Sequence, residues 1–464
     1  MLTMKFGGTS VGDVPRLEEV ASIVSTFIDE QPVVVASAMS GVTNLLLDSA
    51  QQAVARRHDI VQKNVQLLRE KHMAVAQAFL KDDTRRAQLI KQQQALIDEL
   101  ANLYYGVALL KELSPRSLDA IASFGEILSC NQIAMILEER GIPSRCIDAR
   151  TVIRTDGRFG EAAVDFRVSN QLIREAILPL IEEGIVPVVT GFIASTEDGL
   201  TTTLGRSGSD YTGSIVGAAI DSREIWIWTD VDGVMSADPR IIKAAVVLDE
   251  ISYREAAEMS YFGAKVIHPK TMVPAIEKKI PIRIKNTFNP SAPGTLISDR
   301  TQSSASVVKT VTSIDNLAII SVEGSGMMGV PGISARIFSA LARQHVNVMM
   351  ISQASSEHNV CVVVPKTDCA QAVKELREEF DIDLAKKIID DVAVQDPVSI
   401  VAVVGEGMRG TWGIAGRTFD AVAQAHVNIV AIAQGSSELN ISFVVDQAEA
   451  AKAVRAIHEA FYQA

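Results

Sequence analysis

The sequence has few cysteines, no long apolar run and no excess of positive charge, and each absence argues against a class of protein. The cysteines are Cys130, Cys146, Cys361 and Cys369, and they contain no CxxC pair. This scatter argues against a zinc site or a disulfide framework and fits a reducing compartment. No run of about 18 apolar residues occurs, and no basic segment precedes an apolar one at the N-terminus, so we expect neither a membrane span nor a signal peptide. Cytoplasm is the expected location.

The charge balance of the chain is acidic, which limits the partners that a broad surface can bind. Among 464 residues, 44 are Lys or Arg and 56 are Asp or Glu, giving a formal net charge of −12. This balance argues against a nucleic-acid or anionic-membrane surface, whereas small anions can still bind where positive charge is local. With 47% hydrophobic residues, the composition is that of a globular chain of roughly two to four domains.

Two glycines follow a lysine at the end of the first apolar run, a pattern that suits phosphate binding. Leu2 to Phe6 is predicted to form a buried strand that contains Lys5, and Gly7 and Gly8 come directly after it. Glycine lets backbone N–H groups approach an anion, and lysine supplies a mobile positive charge for phosphoryl oxygens. No Gly-Lys-Ser/Thr follows, so this is not a Walker loop. A purely structural turn stays open as an alternative.

A second strand-turn-helix unit follows the first. Asp13 and Pro15 suit the start of a helix. Val33 to Ala36 is then a β-branched run that ends in the small-residue turn from Ser37 to Asn44. Two such units in succession predict a parallel sheet with the active residues in loops at the carboxyl ends of the strands.

The stretch from Leu45 to Leu113 is polar and helical, and little in it suggests chemistry. His58 and His72 lie there without ligand-spaced partners, so we expect them to face solvent rather than to bind a metal. Farther on, Glu126 lies in a small, apolar segment that we place before a helix. A carboxylate favoured by the helix dipole is the structural alternative to a functional role for Glu126.

Another candidate anion site is the segment from Gly205 to Thr212, which combines an arginine, two glycines and an aspartate before an Ala/Gly-rich helix. If Ser207 to Asp210 form the first helical turn, their free N–H groups and the helix dipole favour an anion there. The alternative is that Asp210 is only an N-cap. That alternative leaves the adjacent Arg206 unexplained, so we favour function.

Turn residues of both charges follow the next predicted strand, Ile225 to Trp228. Thr229 to Val234 and Asp238 to Arg240 carry an aspartate cluster, but the spacing and closing glutamate of an EF-hand are missing, so turn chemistry explains it better than calcium. Phe262 to Pro269 adds a loop with Lys265, a cation that a kinase can place against nucleotide phosphates.

Taken in chain order, these segments resemble the motif set of the aspartate kinases. The matching segments are Lys5 to Val11, Ser37 to Asn44, Gly125-Glu126, Gly205 to Thr212, Thr229 to Val234, Asp238 to Arg240 and Phe262 to Pro269. The resemblance covers essentially the whole chain and is strongest to the kinase part of bifunctional aspartate kinase/homoserine dehydrogenases. It implies an α/β amino-acid-kinase fold, an αβα sandwich with a mostly parallel central sheet.

The activity that the resemblance implies is ATP-dependent phosphorylation of the side-chain carboxylate of L-aspartate. The product is 4-phospho-L-aspartate, the first intermediate toward threonine, lysine and methionine, and Mg²⁺ accompanies the ATP. Because the nucleophile is already a carboxylate, no strong general base is required. The resemblance implies no metal site built from protein side chains alone.

The same resemblance assigns roles to individual residues. The catalytic pair is Lys5, which meets the transferring phosphoryl group, and Asp210, which orients Lys5. The aspartate ligands are Thr43, Glu126, Arg206 and Ser209, with Arg206 on the α-carboxylate and Glu126 on the α-ammonium. The ATP contacts are Lys5, Gly7, Gly8, Thr229, Asp230, Arg240, Lys265 and Val266.

Two positions depart from the family pattern. Met235 stands where a tyrosine is common beside the nucleotide, which changes the expected contact with the purine, although methionine can still pack on a base. Ser207 replaces a residue that is often glycine or asparagine, and we expect this change to be tolerated.

The C-terminal part of the chain contains an internal repeat with an offset of 81 residues. Gly332-Ile333 recurs as Gly413-Ile414, and Val346-Asn347-Val348 recurs as Val427-Asn428-Ile429. Each copy is predicted to be a ferredoxin-like βαββαβ unit, and the pair resembles tandem ACT modules. We place the catalytic domain at 1–298, the first module with its linker at 299–393 and the second module at 394–464. ACT modules imply at least a homodimer.

ACT pairs bind an amino-acid effector, and the repeat marks the candidate contacts. They are Asn347, Gln353, Asn428 and Gln434. The structural alternative is that these polar residues end strands and satisfy backbone groups. Lysine-inhibited relatives have an aspartate where this chain has Met349, so we expect threonine rather than lysine as the effector.

Two other functions stay open at this stage. One is an amino-acid-binding regulatory protein on a degenerate kinase scaffold, motivated by Met235 and the large sensing portion, although Lys5, Glu126, Arg206 and Asp210 are retained. The other is a kinase for a different amino-acid acceptor. The bifunctional subtype that the chain resembles also carries a homoserine dehydrogenase, and the sequence ends at Ala464 without one. We therefore expect the chain to be either a monofunctional protein or a fragment.

Overall fold

The computed structural model describes residues 1–263, 267–299, 307–354 and 358–462. They divide into two units, the first made of Met1–Val234, Asp249–Tyr253 and 267–299. The second contains Met235–Leu248, 254–263 and the described residues from 307 onward. The expected division at 298 therefore differs from the observed one, because two segments that precede it in sequence pack with the C-terminal unit.

The elements before residue 300 alternate between strands and helices over much of their length. The strands are β1 Leu2–Phe6, β2 Pro32–Ala36, β3 Ser144–Ile147, β4 Val186–Thr190, β5 Ile193–Ser195, β6 Thr201–Thr203, β7 Glu224–Thr229, β8 Glu250–Ser252, β9 Ile282–Asn286 and β10 Thr295–Ser298. The helices are α1 Val14–Thr26, α2 Val42–Val54, α3 His58–Phe79, α4 Asp83–Leu110, α5 Pro115–Glu139, α6 Ala149–Val152, α7 Phe166–Glu182, α8 Gly208–Ala219, α9 Tyr253–Tyr261 and α10 Pro269–Lys278.

The central sheet of the first unit is mostly parallel, as predicted. Its strand order is β3-β4-β2-β1-β7-β9-β10-β8, and β9 with β10 is its antiparallel pair. In β1, Lys5 lies opposite Val35 of β2 and Ile227 of β7. Because β1, β2, β4 and β7 run parallel, their carboxyl ends meet at one edge. This edge is where the predicted motifs come together.

Alternation along β2 explains why helices cover both faces of this sheet. Val34 and Ala36 are buried against the helical layer that includes α1, α2 and α5. Val33 and Val35 point to the opposite face and are buried against α7 and α8. The αβα sandwich is therefore confirmed, and the strands are apolar on both faces because neither face meets water.

Helix α5 is a long, largely buried helix that bears a predicted site residue. By length and composition it could cross a membrane, but 83% of its most apolar window is buried within the fold, as in the core helix of a folded domain. Glu126 lies in the middle of α5 and not at its start. The alternative that Glu126 is a helix-start carboxylate is therefore wrong.

His72 is also placed differently from the prediction. It is fully buried, and its Nδ1–H donates to Oε1 of Gln132 at 2.9 Å. The expectation that His72 faces solvent is wrong, because α3 packs on α5 where the polar pattern of the sequence suggested an exposed face. His58, at the first position of α3, is exposed as expected.

The second unit contains the repeat. Its strands are β11 Thr310–Glu323, β12 Met350–Gln353, β13 Asn359–Pro365, β14 Asp391–Val404, β15 Ala431–Ala433 and β16 Asn440–Asp446. Its helices are α11 Ile333–Arg343, α12 Lys366–Glu379, α13 Asp381–Ala385, α14 Ile414–Gln424 and α15 Ala450–Tyr462. The strands form one antiparallel sheet in the order β12-β13-β11-β14-β16-β15, and two βαββαβ modules are confirmed.

The two modules share their longest strands. β11 and β14 pair over their whole length, from Thr310 opposite Val404 to Glu323 opposite Asp391. One half of each strand enters the core of the first module and the other half enters the core of the second. The expected boundary between 393 and 394 thus falls inside β14, because each module completes its sheet with a strand from the other half of the sequence.

Candidate active site

A cavity of about 550 Å³ lies at the carboxyl ends of β1, β2 and β7 in the first unit. It brings together residues from five of the predicted motifs. Its lining includes Lys5, Gly7, Gly8, Thr9, Ser37, Ala38, Met39, Ser40, Gly41, Thr43, Asn44, Glu126, Phe192, Gly205, Ser207, Gly208, Ser209, Asp210, Thr229 and Asp230. The convergence of segments so distant in sequence follows from the parallel sheet.

Lys5 and Asp210 form an ion pair inside this cavity. Lys5 Nζ lies 2.5 Å from Asp210 Oδ1, off the direction of a hydrogen bond, and the side chains are 10% and 16% exposed. Gly213 of α8 packs on the lysine stem, because a Cβ at that position would lie 3.2 Å from Lys5 Cβ. The charge of Lys5 is therefore held in place from both its stem and its tip.

The Gly7-Gly8 turn brings backbone close to the cavity. The N–H of Gly7 donates to the carbonyl of Trp228 at 3.1 Å. A side chain at Gly8 would come within 3.0 Å of the carbonyl of Ala38. The second glycine thus allows the loops after β1 and β2 to lie side by side, which a residue with a Cβ would prevent without a shift of the backbone.

Two helices begin at the cavity. Helix α2 starts after Gly41, whose φ of +79° is left-handed, and it places Thr43 in its first turn. Helix α8 starts after Ser207, also left-handed at φ +52°, and it places Ser209 and Asp210 in its first turn. The free N–H groups at both helix starts favour anionic groups in the space between them. The predicted first turn from Ser207 to Asp210 is confirmed.

Glu126 is a buried carboxyl group on the wall of the cavity. It is 3% exposed, and its Oε1 accepts a hydrogen bond of 3.2 Å from the N–H of Ala38. Oε2 has no hydrogen-bond partner among the described residues. Burial raises the pKa of Glu126 to about 8, although the Ala38 N–H and the charge of Lys5 act in the opposite direction. An incoming cation can supply the partner that Oε2 lacks.

The close approach of α5 to the loop after β2 depends on Gly125. A Cβ on this residue would lie 2.7 Å from the Cβ of Ala38. The glycine lets the helix come near enough for Glu126 to accept the Ala38 N–H. In the Gly125-Glu126 pair, the glycine therefore allows the close packing and the glutamate lines the cavity.

Thr229 and Asp230 end β7 at the rim of the cavity. The Thr229 hydroxyl donates to Oδ1 of Asp230 at 3.2 Å, and Asp230 is exposed. The described residues contain no cluster of three or more His, Cys, Asp or Glu side chains ready for a metal. Mg²⁺ in kinases usually takes only one or two carboxylates and otherwise binds substrate phosphates. The donor set at this rim fits such a metal.

Comparison with known proteins places this geometry in a family. The sequence profile described as the amino acid kinase family matches residues 1–286, and that of an ACT domain matches residues 320–380 and 401–461. The chain belongs to the amino acid kinase family. The individual proteins to which it is similar include aspartokinases, as three comparisons illustrate.

The chain is 39% identical over 463 residues to bifunctional aspartokinase/homoserine dehydrogenase 2, a chloroplastic protein of Zea mays, covering 99% of this chain and 50% of the relative. It spans about half the length of such bifunctional relatives. It is 33% identical to the chloroplastic aspartokinase 1 of Arabidopsis thaliana, covering 99% of this chain and 80% of that one. The crystal structure of E. coli aspartokinase III with aspartate and ADP matches with a TM-score of 0.81 and 30% identity, over 100% of both chains.

Other predicted site residues of the chain lie outside the cavity lining. Arg206 is exposed, although its neighbours Gly205 and Ser207 both line the cavity. Arg240 belongs to the second unit, where its guanidinium pairs with Asp238 at 2.6 Å. Lys265 and Val266 lie outside the described residues. Their roles in binding aspartate or ATP stay predictions.

The effector candidates are exposed residues at matching places in the two modules. Asn347 precedes β12 by three residues and Gln353 is its last residue, whereas Asn428 precedes β15 by three residues and Gln434 directly follows it. The Nδ2 of Asn347 lies 3.3 Å from the sulfur of Met349. The repeat thus survives in three dimensions at the positions that sequence singled out, and effector binding there stays a prediction.

No sequence motif marks a cation that lies behind the cavity wall. Lys71 of α3 donates from Nζ to the carbonyl of Ser40 at 2.9 Å. Burial lowers the pKa of Lys71, and the charge of Arg16 acts in the same direction. Arg16 donates to the carbonyl of Thr9 at 3.1 Å. Lys71 lies in the polar helical stretch, and only the packing of α3 against α2 brings it to this loop.

Proposed function

We propose that this protein transfers the γ-phosphoryl group of ATP to the side-chain carboxylate of L-aspartate, giving 4-phospho-L-aspartate and ADP. The carrying observation is that one cavity holds both a buried carboxyl with a free oxygen, Glu126, and a fixed cation, Lys5. This step opens the pathway to threonine, lysine and methionine. The aspartate and ADP bound to E. coli aspartokinase III support the same choice of substrates.

The chemistry needs positioning and charge neutralisation more than it needs a base. A carboxylate oxygen of aspartate attacks the γ-phosphorus, the bond to the β-phosphate oxygen breaks, and no proton has to move. Lys5 meets the charge on the transferring oxygens, and Asp210 keeps the ammonium group of Lys5 at the cavity. Mg²⁺, when bound with ATP, neutralises phosphate charge, and Asp230 at the rim would hold it.

The acceptor is expected to carry a free α-ammonium group. A neutral acylated amine can donate one N–H to Oε2 of Glu126 but brings no charge, so it loses the stronger, charge-assisted hydrogen bond that an ammonium group makes with a carboxylate. Thr43 and Ser209 line the same cavity and supply hydroxyls for the substrate. This argument favours aspartate over N-acylated acceptors.

Trapping the product separates this function from the binding-protein alternative. Purified protein with aspartate, ATP and Mg²⁺ is expected to form an acyl phosphate that hydroxylamine converts to aspartyl hydroxamate. Tight aspartate binding without hydroxamate would instead support a regulatory protein on a kinase scaffold. If another amino acid gave hydroxamate with a higher kcat/KM than aspartate, that amino acid would be assigned as the acceptor, and the kinase activity would still be supported.

We infer that threonine is the effector, because Met349 offers no charge to a lysine ammonium group. The contact of Asn347 with Met349 places the amide beside this apolar position. In the hydroxamate assay, millimolar threonine is expected to lower the rate and lysine to leave it unchanged. Insensitivity to threonine would remove the assignment.

A further inference from the structure

We propose that Asp119 is a positioning residue that fixes the aspartate-binding turn from Gly205 to Asp210 relative to Glu126. The inference rests on the proposed function, since it concerns how the two ends of aspartate are held. Asp119 is 3% exposed and lies on α5. It precedes Glu126 by seven residues, or about two helical turns, so both side chains lie on one side of the helix.

Three hydrogen bonds satisfy the buried carboxylate of Asp119. Its Oδ2 accepts from the N–H of Gly160 at 2.8 Å and from the N–H of Thr203 at 2.9 Å. Its Oδ1 accepts from the hydroxyl of Thr203 at 2.8 Å. The N–H of Ala162 also donates to the carbonyl of Thr203 at 3.0 Å. Asp119 therefore joins two segments, the loop around Gly160 and the end of β6.

Both segments meet at the start of the aspartate-binding turn. Thr203 is the last residue of β6, two residues before Gly205. Gly205 has a φ of +80°, and a Cβ on it would lie 3.1 Å from Cγ of Glu161 and 3.5 Å from the carbonyl of Gly160. The turn from Gly205 to Asp210 thus follows β6 just after Thr203, one partner of Asp119, and packs against the loop of Gly160, the other partner. Loss of the carboxylate would free both contacts together.

Helix α5 consequently positions the residues predicted to bind both charged α-groups of aspartate. Glu126 reaches the cavity directly and is the predicted ligand of the α-ammonium group. Asp119 acts through Thr203 and Gly160 on the turn that carries Arg206, the predicted ligand of the α-carboxylate. The distance between the two substrate-binding residues is then fixed by the rigid helix α5. A fixed distance favours a substrate whose α-ammonium and α-carboxylate groups fit between them.

The test uses β-alanine, which is aspartate without its α-carboxylate, as a competitive inhibitor. In Asp119→Ala we expect the KM for aspartate to rise about tenfold or more, with the KM for ATP and the Ki of β-alanine within about twofold of wild type. Asp119→Asn is expected to recover most of the affinity, because one amide oxygen can accept both N–H groups and the NH₂ can donate to the Thr203 hydroxyl.

Matched variants separate positioning from folding. Asp165→Ala removes the carboxylate that caps α7 through the N–H of Val168, and we expect no change in any KM. Thr203→Val removes one bond to Asp119 and keeps the backbone bond, so the KM for aspartate should rise about fivefold. If Asp119→Ala does not fold, Thr203→Val carries the test.

A proportional rise in the KM for aspartate and the Ki of β-alanine would overturn the proposal, because a general distortion of the site affects both ligands. An unchanged KM for aspartate in folded Asp119→Ala would also overturn it. Absence of aspartyl hydroxamate with wild-type protein would instead contradict the proposed function, so the two failures are distinguishable.

Discussion

Asp210 Oδ1 lies 2.5 Å from Lys5 Nζ, and the two side chains come from β1 and from the first turn of α8. The ion pair connects the glycine turn to a helix start across the cavity. Each residue alone has a structural explanation, as a strand residue or as an N-terminal acid. Their contact within one cavity supports the proposal that a transferring phosphoryl group meets positive charge at this place.

Replacing Lys5 should affect turnover far more than aspartate binding. We expect Lys5→Ala to lower kcat about 10²- to 10³-fold, since its charge acts on the transferring oxygens, with the KM for aspartate little changed. Asp210→Asn keeps the size of the side chain and removes the ion pair, and it should lower kcat about tenfold. Small and equal effects on kcat and KM in the hydroxamate assay would count against both roles.

Aspartate binding should release a proton from Glu126. Burial raises the pKa of Glu126 to about 8, so we expect the free protein at pH 7 to hold this carboxyl mostly protonated. An ammonium group at Oε2 favours the carboxylate, and about 0.9 proton should leave per aspartate bound at pH 7. Affinity for aspartate should accordingly rise about tenfold per pH unit below 8 and level off above it.

Calorimetry in buffers with different ionisation enthalpies measures this release directly. Glu126→Gln is the matched control, because it keeps the size and the acceptor for the Ala38 N–H but cannot titrate. It should bind aspartate more weakly and release no proton. Equal proton release by the wild type and Glu126→Gln would show that another group titrates.

Much of the fold followed from local patterns. The β-branched run at Val33 to Ala36 and the Asp13-Pro15 start both mark elements that the structure contains, and Asp13 does cap α1 by accepting from the Arg16 N–H. Motifs at strand ends then converge because parallel strands share an edge. This reasoning needs only the order of the elements, which the sequence shows.

Other features depend on tertiary packing that no local pattern encodes. His72 lies on a helix with a polar sequence, yet it is buried against Gln132 of α5. Asp119 gave no motif, because its partners at Gly160 and Thr203 are 41 and 84 residues away. The sharing of β11 and β14 between the two modules could not be predicted, because each copy of the repeat by itself matches a complete βαββαβ pattern.

Arg206 should matter for the α-carboxylate even though its side chain is exposed. Binding is expected to bring the guanidinium to the substrate, since Gly205 and Ser207 on either side already line the cavity. Arg206→Ala should raise the KM for aspartate at least about tenfold and leave the Ki of β-alanine unchanged. Arg206→Lys should recover little, because an ammonium group cannot pair with both carboxylate oxygens in a plane. Equal losses for both ligands would refute this role.

His72 should make the protein sensitive to acid. Its pKa is lowered to about 4 by burial, whereas the unfolded chain titrates near 6.5. The unfolded state therefore takes up the proton first, and this group's contribution to stability is lost as pH falls from 6.5 toward 4, by about 3 kcal/mol in total. Nδ1–H already donates to Gln132, and Nε2 has no partner among the described residues, so an added proton there would be buried without an acceptor.

Denaturant unfolding of the wild type and His72→Gln between pH 7 and pH 4 tests this expectation. The free energy of unfolding of the wild type should fall more steeply over that window than that of the variant, which cannot take up the proton. Titration of surface carboxylates affects both proteins alike and cancels in the comparison. Parallel curves would show that His72 does not couple folding to protonation.

His458 should influence ATP binding through the segment that carries Arg240. The buried Ser236 hydroxyl lies 2.9 Å from His458 Nε2, and Ser236 also accepts the N–H of Val246 at 3.0 Å. Helix α15 thereby anchors Met235–Leu248, which belongs to the second unit together with the ACT modules. If Arg240 contacts the nucleotide as predicted, then His458→Ala should raise the KM for ATP about fivefold and leave that for aspartate unchanged.

Tyr462→Phe is the control for His458→Ala. The Tyr462 ring stacks on His458 with centroids 4.4 Å apart, and its hydroxyl donates to the carbonyls of Val308 and Lys309. Phenylalanine keeps the stacking and the contact of His458 with Ser236, so the KM for ATP should stay near that of the wild type. A rise in both KM values in His458→Ala, or the same rise in Tyr462→Phe, would mean that α15 supports the unit in general and not the segment of Arg240.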